Sequence, residues 1–266
     1  MTPLQTTNRL TSYVVIPARL HSTRLPNKML LSETGKTLIH HTYEAALTAT
    51  RPMGVCVATE DREIADEVVR FGGQAVLTGP NIRSGTDRVA LVAAEKALAG
   101  IDIIVNVQGD EPEVAGEHID QVIQTLEDTP TAVMATLSTP IRRREQLEDP
   151  ACVKVVSDRY GRALYFSRAA IPAARRWDER LLTDIEPHFH QHIGIYAYRR
   201  EFLLELSELP QTDLEQLEDL EQLRVLEAGH TICVSRIDHA ATGIDTPADY
   251  QAFVERQAYS HRRKSA

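Results

Sequence analysis

Five short apolar runs, Tyr13–Ile16, Val55–Ala58, Ala75–Leu77, Ile101–Val107 and Ala132–Leu137, alternate with four helical patterns, Thr37–Ala49, Arg62–Phe71, Thr86–Leu98 and Glu117–Leu126. A parallel strand can be reached only by a crossover, so this alternation predicts an α/β fold, a mostly parallel sheet flanked by helices. In the second helix, Ile64, Ala65, Val68 and Val69 form one apolar face, and Gly72-Gly73 supplies its stop. After residue 140 the pattern loosens. Val153–Val156 and Leu164–Phe166 read as strands around a DRYG turn, and Ile193–Tyr198 as a further strand. Thr212 and Glu215 fit a capping box that opens one helix running to about Ala228, before Gly229. Its leucines recur every three residues, so the stripe turns around the helix and predicts burial on more than one side. A strand Thr231–Ser235, the loop TGIDTPADY and a closing helix carrying Asp249 and Tyr250 complete the reading. Residues 1–11 and 257–266 are expected to be mobile ends of a single domain spanning 12–256.

Composition narrows the function. The 266 residues carry 38 acidic and 29 basic side chains, a net charge of −9, which argues against nucleic acid as a partner. No run approaches the ~20 apolar residues of a membrane span, and the first residues lack the apolar core of a signal peptide, so no membrane is expected and a cytoplasmic location is. Cys56, Cys152 and Cys233 form no metal-like spacing and are expected to be buried, reduced thiols.

The stretch YVVIPARLHSTRLPNK ends the first strand at Pro17 and opens a loop carrying Ala18, Arg19, Ser22, Thr23, Arg24 and Lys28. Three cations, two hydroxyls and free N–H groups after a first strand suit a polyphosphate, because ligands of open α/β sheets lie beyond the carboxyl ends of the strands. NVQGDEP follows the most apolar run and places Gln108, Asp110 and Glu111 at the end of that strand. A carboxylate there can hold Mg²⁺ against phosphates, with Asp245 of TGIDTP as its best companion. Asp245 also reads as the N-cap of the last helix. SGTDR, with Ser84, Gly85, Thr86 and Arg88, opens a helix whose N–H groups could meet an anion or a base edge, or could simply be capped. Gly35-Lys36-Thr37 lacks the first glycine of a P-loop and reads as a turn. His188, His190 and His192 alternate but have no cysteine or carboxylate at zinc-ligand spacing, so one polar histidine in a cleft is preferred. The fork of Arg168 would suit a sugar-acid carboxylate or a surface ion pair.

IPARLHSTRLPNK, SGTDR, VNVQGDEP, ALYFSRAAIP, HIGIYAYR, LEQLRVLEAG and GIDTPADY resemble, in order and spacing from Tyr13 to Phe253, the 3-deoxy-manno-octulosonate cytidylyltransferases. The resemblance implies a Rossmann-like fold of the nucleotide-diphospho-sugar transferase type. It comprises a nucleotide-binding half (12–140), an inserted sugar-binding and dimerisation half (141–240) and a returning metal-site segment (241–256). It implies a homodimer that activates 3-deoxy-D-manno-octulosonate (Kdo) with CTP for lipopolysaccharide. Arg19, Ser22 and Lys28 would hold the triphosphate, Ser84, Thr86 and Arg88 the nucleoside, and Asp110 and Asp245 Mg²⁺. Gln108, Arg168, His192, Tyr196, Glu221 and Gln222 would face the sugar. Two residues depart from the pattern: Asn27 stands where glycine is usual, and Gln191 where arginine often precedes the histidine. An acylneuraminate cytidylyltransferase and a catalytically silent nucleotide-binding protein are the rival readings.

Overall fold

The structure is a computed structural model and describes residues 9–80 and 82–264, with side chains up to residue 259. The first half runs β1 (Ser12–Ala18), α1 (Leu38–Ala46), β2 (Val55–Thr59), α2 (Arg62–Arg70), β3 (Ala75–Leu77), α3 (Gly85–Ala94), β4 (Ile103–Asn106), α4 (Gly116–Asp128) and β5 (Met134–Pro140). The second runs α5 (Arg144–Glu148), β6 (Lys154–Ser157), β7 (Ala163–Ser167), α6 (Arg180–Thr183), β8 (His190–Arg199), α7 (Arg200–Glu208), α8 (Asp213–Glu218), α9 (Gln222–Glu227), β9 (Ile232–Arg236) and α10 (Pro247–Lys264). The main sheet has the order β3-β2-β1-β4-β8-β5-β9, and β6 and β7 form a hairpin attached to β8.

β1 is the hub, parallel to β2 on one side and to β4 on the other. Successive side chains of a strand point to opposite faces. Val14 and Ile16 therefore meet Ile39, Tyr43, Ile64, Val68, Ile119 and Val122 from α1, α2 and α4. Val15 enters the opposite cluster with Val89 and Ala93 of α3 and Phe202, Leu203 and Leu206 of α7. Because both faces are covered, these strands read as unbroken apolar runs. Each fully buried Val, Ile or Leu contributes about 1.5–3 kcal/mol.

Several boundaries shift by a few residues from the sequence reading, and four of the differences bear on how the chain is built. β1 continues through Pro17, which pairs in register with Ala58. Val14 donates toward the β2 side while the carbonyl of Val15 accepts from Val107 on the β4 side, so Pro17 directs its missing donor to the side where β4 pairing has already ended. α3 stops at Ala94, and a separate 3-10 turn covers Lys96–Leu98.

The single helix expected over 212–228 is two helices. Glu215 does reach back to the Thr212 N–H at 3.2 Å, but the chain reverses at Asp219, whose φ of 51° lies in the left-handed region that Asp tolerates better than most residues. The break turns the leucine stripe so that Leu223 is buried while Leu217 stays 82% exposed. Finally, the chain beyond residue 256 is helical as far as Lys264, with no Pro or Gly in that stretch to stop it. The N-terminal segment expected to be mobile lies, for residues 1–8, outside the described residues, as do residues 265 and 266.

Candidate active site

A cavity of about 710 Å³ opens at the carboxyl ends of β1 and β4, where the crossovers leave β1 in opposite directions. Ligands of open α/β sheets bind at such a switch point. Ala18, Arg19, Ser22, Thr23, Arg24, Lys28, Ser84, Gly85, Arg88, Gln108, Asp110, Glu221 and Asp245 all line it. The sequence reading and the geometry therefore bring the first loop, the α3 entrance and the segment after β4 to one place. Thr86 is buried and does not line it.

The first loop is held at three points. Leu25 packs with Leu38, Ile244, Tyr250 and Phe253, which ties the loop to the start and first turns of α10. Asn27 adopts φ 55°, a left-handed conformation that glycine takes freely and asparagine takes more readily than most residues. This accounts for Asn where glycine is usual, and Lys28 follows in a short 3-10 turn. Gly109 closes the gap to the neighbouring loop: a Cβ there would sit 3.0 Å from the Pro17 carbonyl oxygen and 3.1 Å from the Met29 sulfur.

Lys28 forms the floor. Its Nζ donates to Asp110 Oδ2 at 2.6 Å, to the Ile244 carbonyl at 3.0 Å and to Asp245 Oδ1 at 3.1 Å. Arg24 reaches the other oxygen of Asp245 at 3.1 Å. Asp110 and Asp245, 135 residues apart in the chain, thus converge on one nitrogen. Asp245 is free to do so because it is not the helix cap. Thr246 and Asp249 cap α10 between them, with the Thr246 N–H and hydroxyl both donating to Asp249 Oδ2. Next to them, burial, with the charges of Asp110 and Asp245 added, pushes the Glu111 carboxyl up to about 8.

Among the described residues, no group of three His, Cys, Asp or Glu side chains is placed to hold a metal. Two carboxylates on one cation do match the way Mg²⁺ is held when substrate oxygens complete its shell. The alternating histidines do not converge either. His188 pairs with Asp184 at 3.0 Å, and the Nε2 of His190 is buried without a partner among the described residues.

At the α3 entrance the capping reading of SGTDR holds. Ser84 Oγ accepts from the Asp87 N–H at 3.1 Å, as a cap does, and donates to Glu221 Oε2 at 3.3 Å across the cavity wall. Burial raises the Glu221 carboxyl, with the hydroxyls of Thr86 and Ser84 opposing it. Arg88 is buried and spent on Thr78 and on Glu60, the latter at 3.1 Å. Sequence reasoning missed Glu60, Ile82 and Arg83, which also line the cavity. The available signal was position, since Glu60 directly follows β2. Arg19 is exposed and makes no hydrogen bond or ion pair among the described residues, which leaves its guanidinium to a ligand.

The residues read as sugar-facing divide into groups. Gln108 and Glu221 line the cavity. Tyr196 and His192 line no part of it; they sit on β8 with ring centroids 5.4 Å apart, and Phe166 is edge-on to His192 at 5.0 Å. Burial drives His192 down to about 3, so it is neutral. Its Nε2 lies 3.0 Å from Thr136 Oγ1, which is also 2.9 Å from the carbonyls of Ile193 and Ile195. With two carbonyls in reach of its proton, the Thr136 hydroxyl can accept from a His192 Nε2–H.

Gln222 is buried, and its Nε2 has no partner among the described residues. Arg168 lines neither this cavity nor its neighbour. Its guanidinium donates to the carbonyls of Glu218 at 2.7 Å, Asp219 at 3.2 Å and Pro150 at 3.1 Å, so it holds the α8–α9 break that positions Glu221. A second cavity of about 630 Å³ lies behind Glu111 and includes His192 and Gln191, whose amide oxygen accepts from Gln146 at 2.6 Å.

The cytidylyltransferase family matches residues 13–232. The chain is 50% identical over 244 residues to a 3-deoxy-manno-octulosonate cytidylyltransferase of Rhodopirellula baltica, covering 91% of this chain and 97% of that one. It is 47% identical over 245 residues to one from Idiomarina loihiensis, covering 90% and 95% respectively. Among solved structures, a CMP:2-keto-3-deoxy-manno-octonic acid synthetase complexed with CTP superposes with a TM-score of 0.85 at 38% identity, covering 94% of this chain and 99% of that one. A cytidylyltransferase from Leptospira borgpetersenii, 16% identical with a TM-score of 0.59, shares the fold.

Proposed function

This chain belongs to the cytidylyltransferase family and, within it, to the 3-deoxy-manno-octulosonate cytidylyltransferases; from that premise we propose that its cavity transfers CMP from CTP to the anomeric hydroxyl of Kdo, giving CMP-Kdo and pyrophosphate. The observation that carries the reading is the convergence of Asp110 and Asp245 on the floor of a cavity ringed by Arg19, Arg24 and Lys28.

In the reaction, the anomeric oxygen forms a bond to the α-phosphorus, the bond from that phosphorus to the pyrophosphate oxygen breaks, and the hydroxyl proton leaves. A sugar carboxylate must approach a triphosphate, and negative charge gathers on the departing pyrophosphate. Arg19, with no partner among the described residues, and the loop hydroxyls Ser22 and Thr23 line the cavity and would hold the β- and γ-phosphates. The N–H groups at the start of α3 would supply partial positive charge on the facing wall. Gln108 and Glu221 would offer hydrogen bonds to the sugar hydroxyls, and His192, buried and neutral, lines the neighbouring cavity. Arg168 contributes through the carbonyls that it fixes at the turn before Glu221 and Gln222.

Asp110 and Asp245 fit Mg²⁺, being two carboxylates free to converge on one cation and open to the substrate side. When bound, that ion would offset phosphate charge and make the attacking hydroxyl more acidic. The same reading carries a homodimer, supported by exposed apolar side chains in the second half, Tyr160, Leu164 and Ile185. It also carries a cytoplasmic place ahead of lipopolysaccharide assembly, supported by three buried, unpaired cysteines that suit a reducing compartment. Pyrophosphate release measured with each nucleoside triphosphate and with Kdo beside an acylneuraminate tests the assignment. Release with CTP and Kdo alone is expected, and release with the acylneuraminate at equal efficiency would overturn it.

A further inference from the structure

The ammonium of Lys28 lies between the two carboxylates to which the preceding reading gives a divalent cation, with the Ile244 carbonyl as a third oxygen. Its side chain is 10% exposed, so this is a made site rather than a passing surface pair. Arg24 neutralises the outer oxygen of Asp245 from a side chain that is 63% exposed. The two carboxylates are therefore matched by two cations before any ligand arrives. A divalent ion entering on top of them would meet two positive groups competing for the same oxygens, and repulsion at such distances in a half-buried site is strong.

Lys28 can leave. It ends a flexible four-carbon stem, and the loop bearing it lines the same cavity that would take the triphosphate. Phosphate oxygens there offer the ammonium and Arg24 new partners, and their departure exposes the carboxylates.

We propose that Lys28 is the stand-in for the divalent cation in the nucleotide-free protein, so that the triphosphate must draw it off Asp110 and Asp245 before the metal can enter. The inference rests on the metal reading of those two residues. It makes nucleotide and metal mutually reinforcing ligands, because whatever draws the ammonium toward phosphate raises the affinity of the vacated carboxylates by the same factor. A clamp that merely ties two loops together would have the opposite signature, since removing it would loosen the carboxylates and weaken metal binding.

The test is Mn²⁺ binding to the full-length, nucleotide-free protein, followed by the loss of the free Mn²⁺ signal in electron paramagnetic resonance. Lys28→Gln, which keeps a donor but drops the charge, is expected to bind Mn²⁺ at least about tenfold more tightly than wild type, a factor ordinary for coupled sites. Adding Asp110→Asn to it should abolish the gain. Lys28→Met is the second variant should the glutamine disturb folding, which circular dichroism reports. Folded Lys28 variants that bind Mn²⁺ no better than wild type would overturn the proposal. The two readings fail separately: Asp110→Asn with normal CTP and Kdo turnover removes the metal assignment, whereas a lost turnover with unchanged Mn²⁺ affinity in the Lys28 variants removes only the stand-in.

Discussion

The two halves of the molecule place functional groups in different ways. In the first half, Arg19, Ser22, Lys28, Gln108 and Asp110 sit on segments that leave β1 and β4 directly, so strand ends decide where they point. In the second half, Glu221 depends on a left-handed residue between two short helices, and on the arginine just after β7 that takes up the carbonyls released there. On the proposed reading, phosphate chemistry would rest on regular secondary structure, and sugar recognition on an irregular junction. The phosphate side should therefore answer to single charges, and the sugar side to changes in how a turn is held.

The sharpest break in this contrast is Asp110→Asn, which should leave a folded protein with turnover at saturating Mg²⁺ reduced by at least about 10²-fold. Near-normal turnover would take that residue out of the mechanism. Leu25→Ala tests whether apolar packing, rather than charge, holds the first loop to α10; it should lower stability in urea by about 2–4 kcal/mol and weaken CTP binding in calorimetry.

On the sugar side, Arg168→Ala should raise the KM for Kdo by about tenfold while calorimetric CTP affinity stays put. An equal loss of CTP binding would show that the junction serves both substrates.

A pH experiment bears on the buried histidines of β8. His192 is held near 3 and His190, by burial and then by Arg236 and Arg142, near 4, both below the ordinary value of 6.5. Between those values the unfolded chain binds more protons than the folded one, so their contribution is full above about pH 6.5 and is lost as pH falls toward 4. His192→Asn should shrink the fall in stability over that window by at least about 1 kcal/mol, read from urea midpoints at pH 7 and 4.5. The smallest expected effect is Asn27→Gly, within about 1 kcal/mol of wild type, whereas Asn27→Val should cost about 1–2 kcal/mol because a branched side chain resists positive φ.

Much of the parallel half was legible because a strand end followed by charged or small residues is a local signal. Asp110 and Asp245 could be paired on chemistry, but what freed Asp245 from capping was the bond between Thr246 and Asp249, a choice between two neighbouring acids that periodicity does not register. The division at Asp219 was hidden because the leucine spacing continues across it, and the partners that stabilise the break, Ser167 and Arg168, lie about 50 residues away. Arg168 itself was readable as a fork for a carboxylate; that it grips main-chain carbonyls depends on tertiary contacts. Asn27 was visible as a departure from the family, and its left-handed backbone supplies the reason.

β8, contributed by the later part of the chain, is wedged between β4 and β5, hydrogen-bonded in antiparallel fashion to both. Any swing of β1–β4 against β5 and β9 would have to tear a ladder at the centre of the sheet. Rearrangement around the cavity is thereby expected in side chains and loop tips, and a protein cut after residue 140 would lose β8 and β9 together, baring one margin of β4 and leaving β5 without a neighbouring strand.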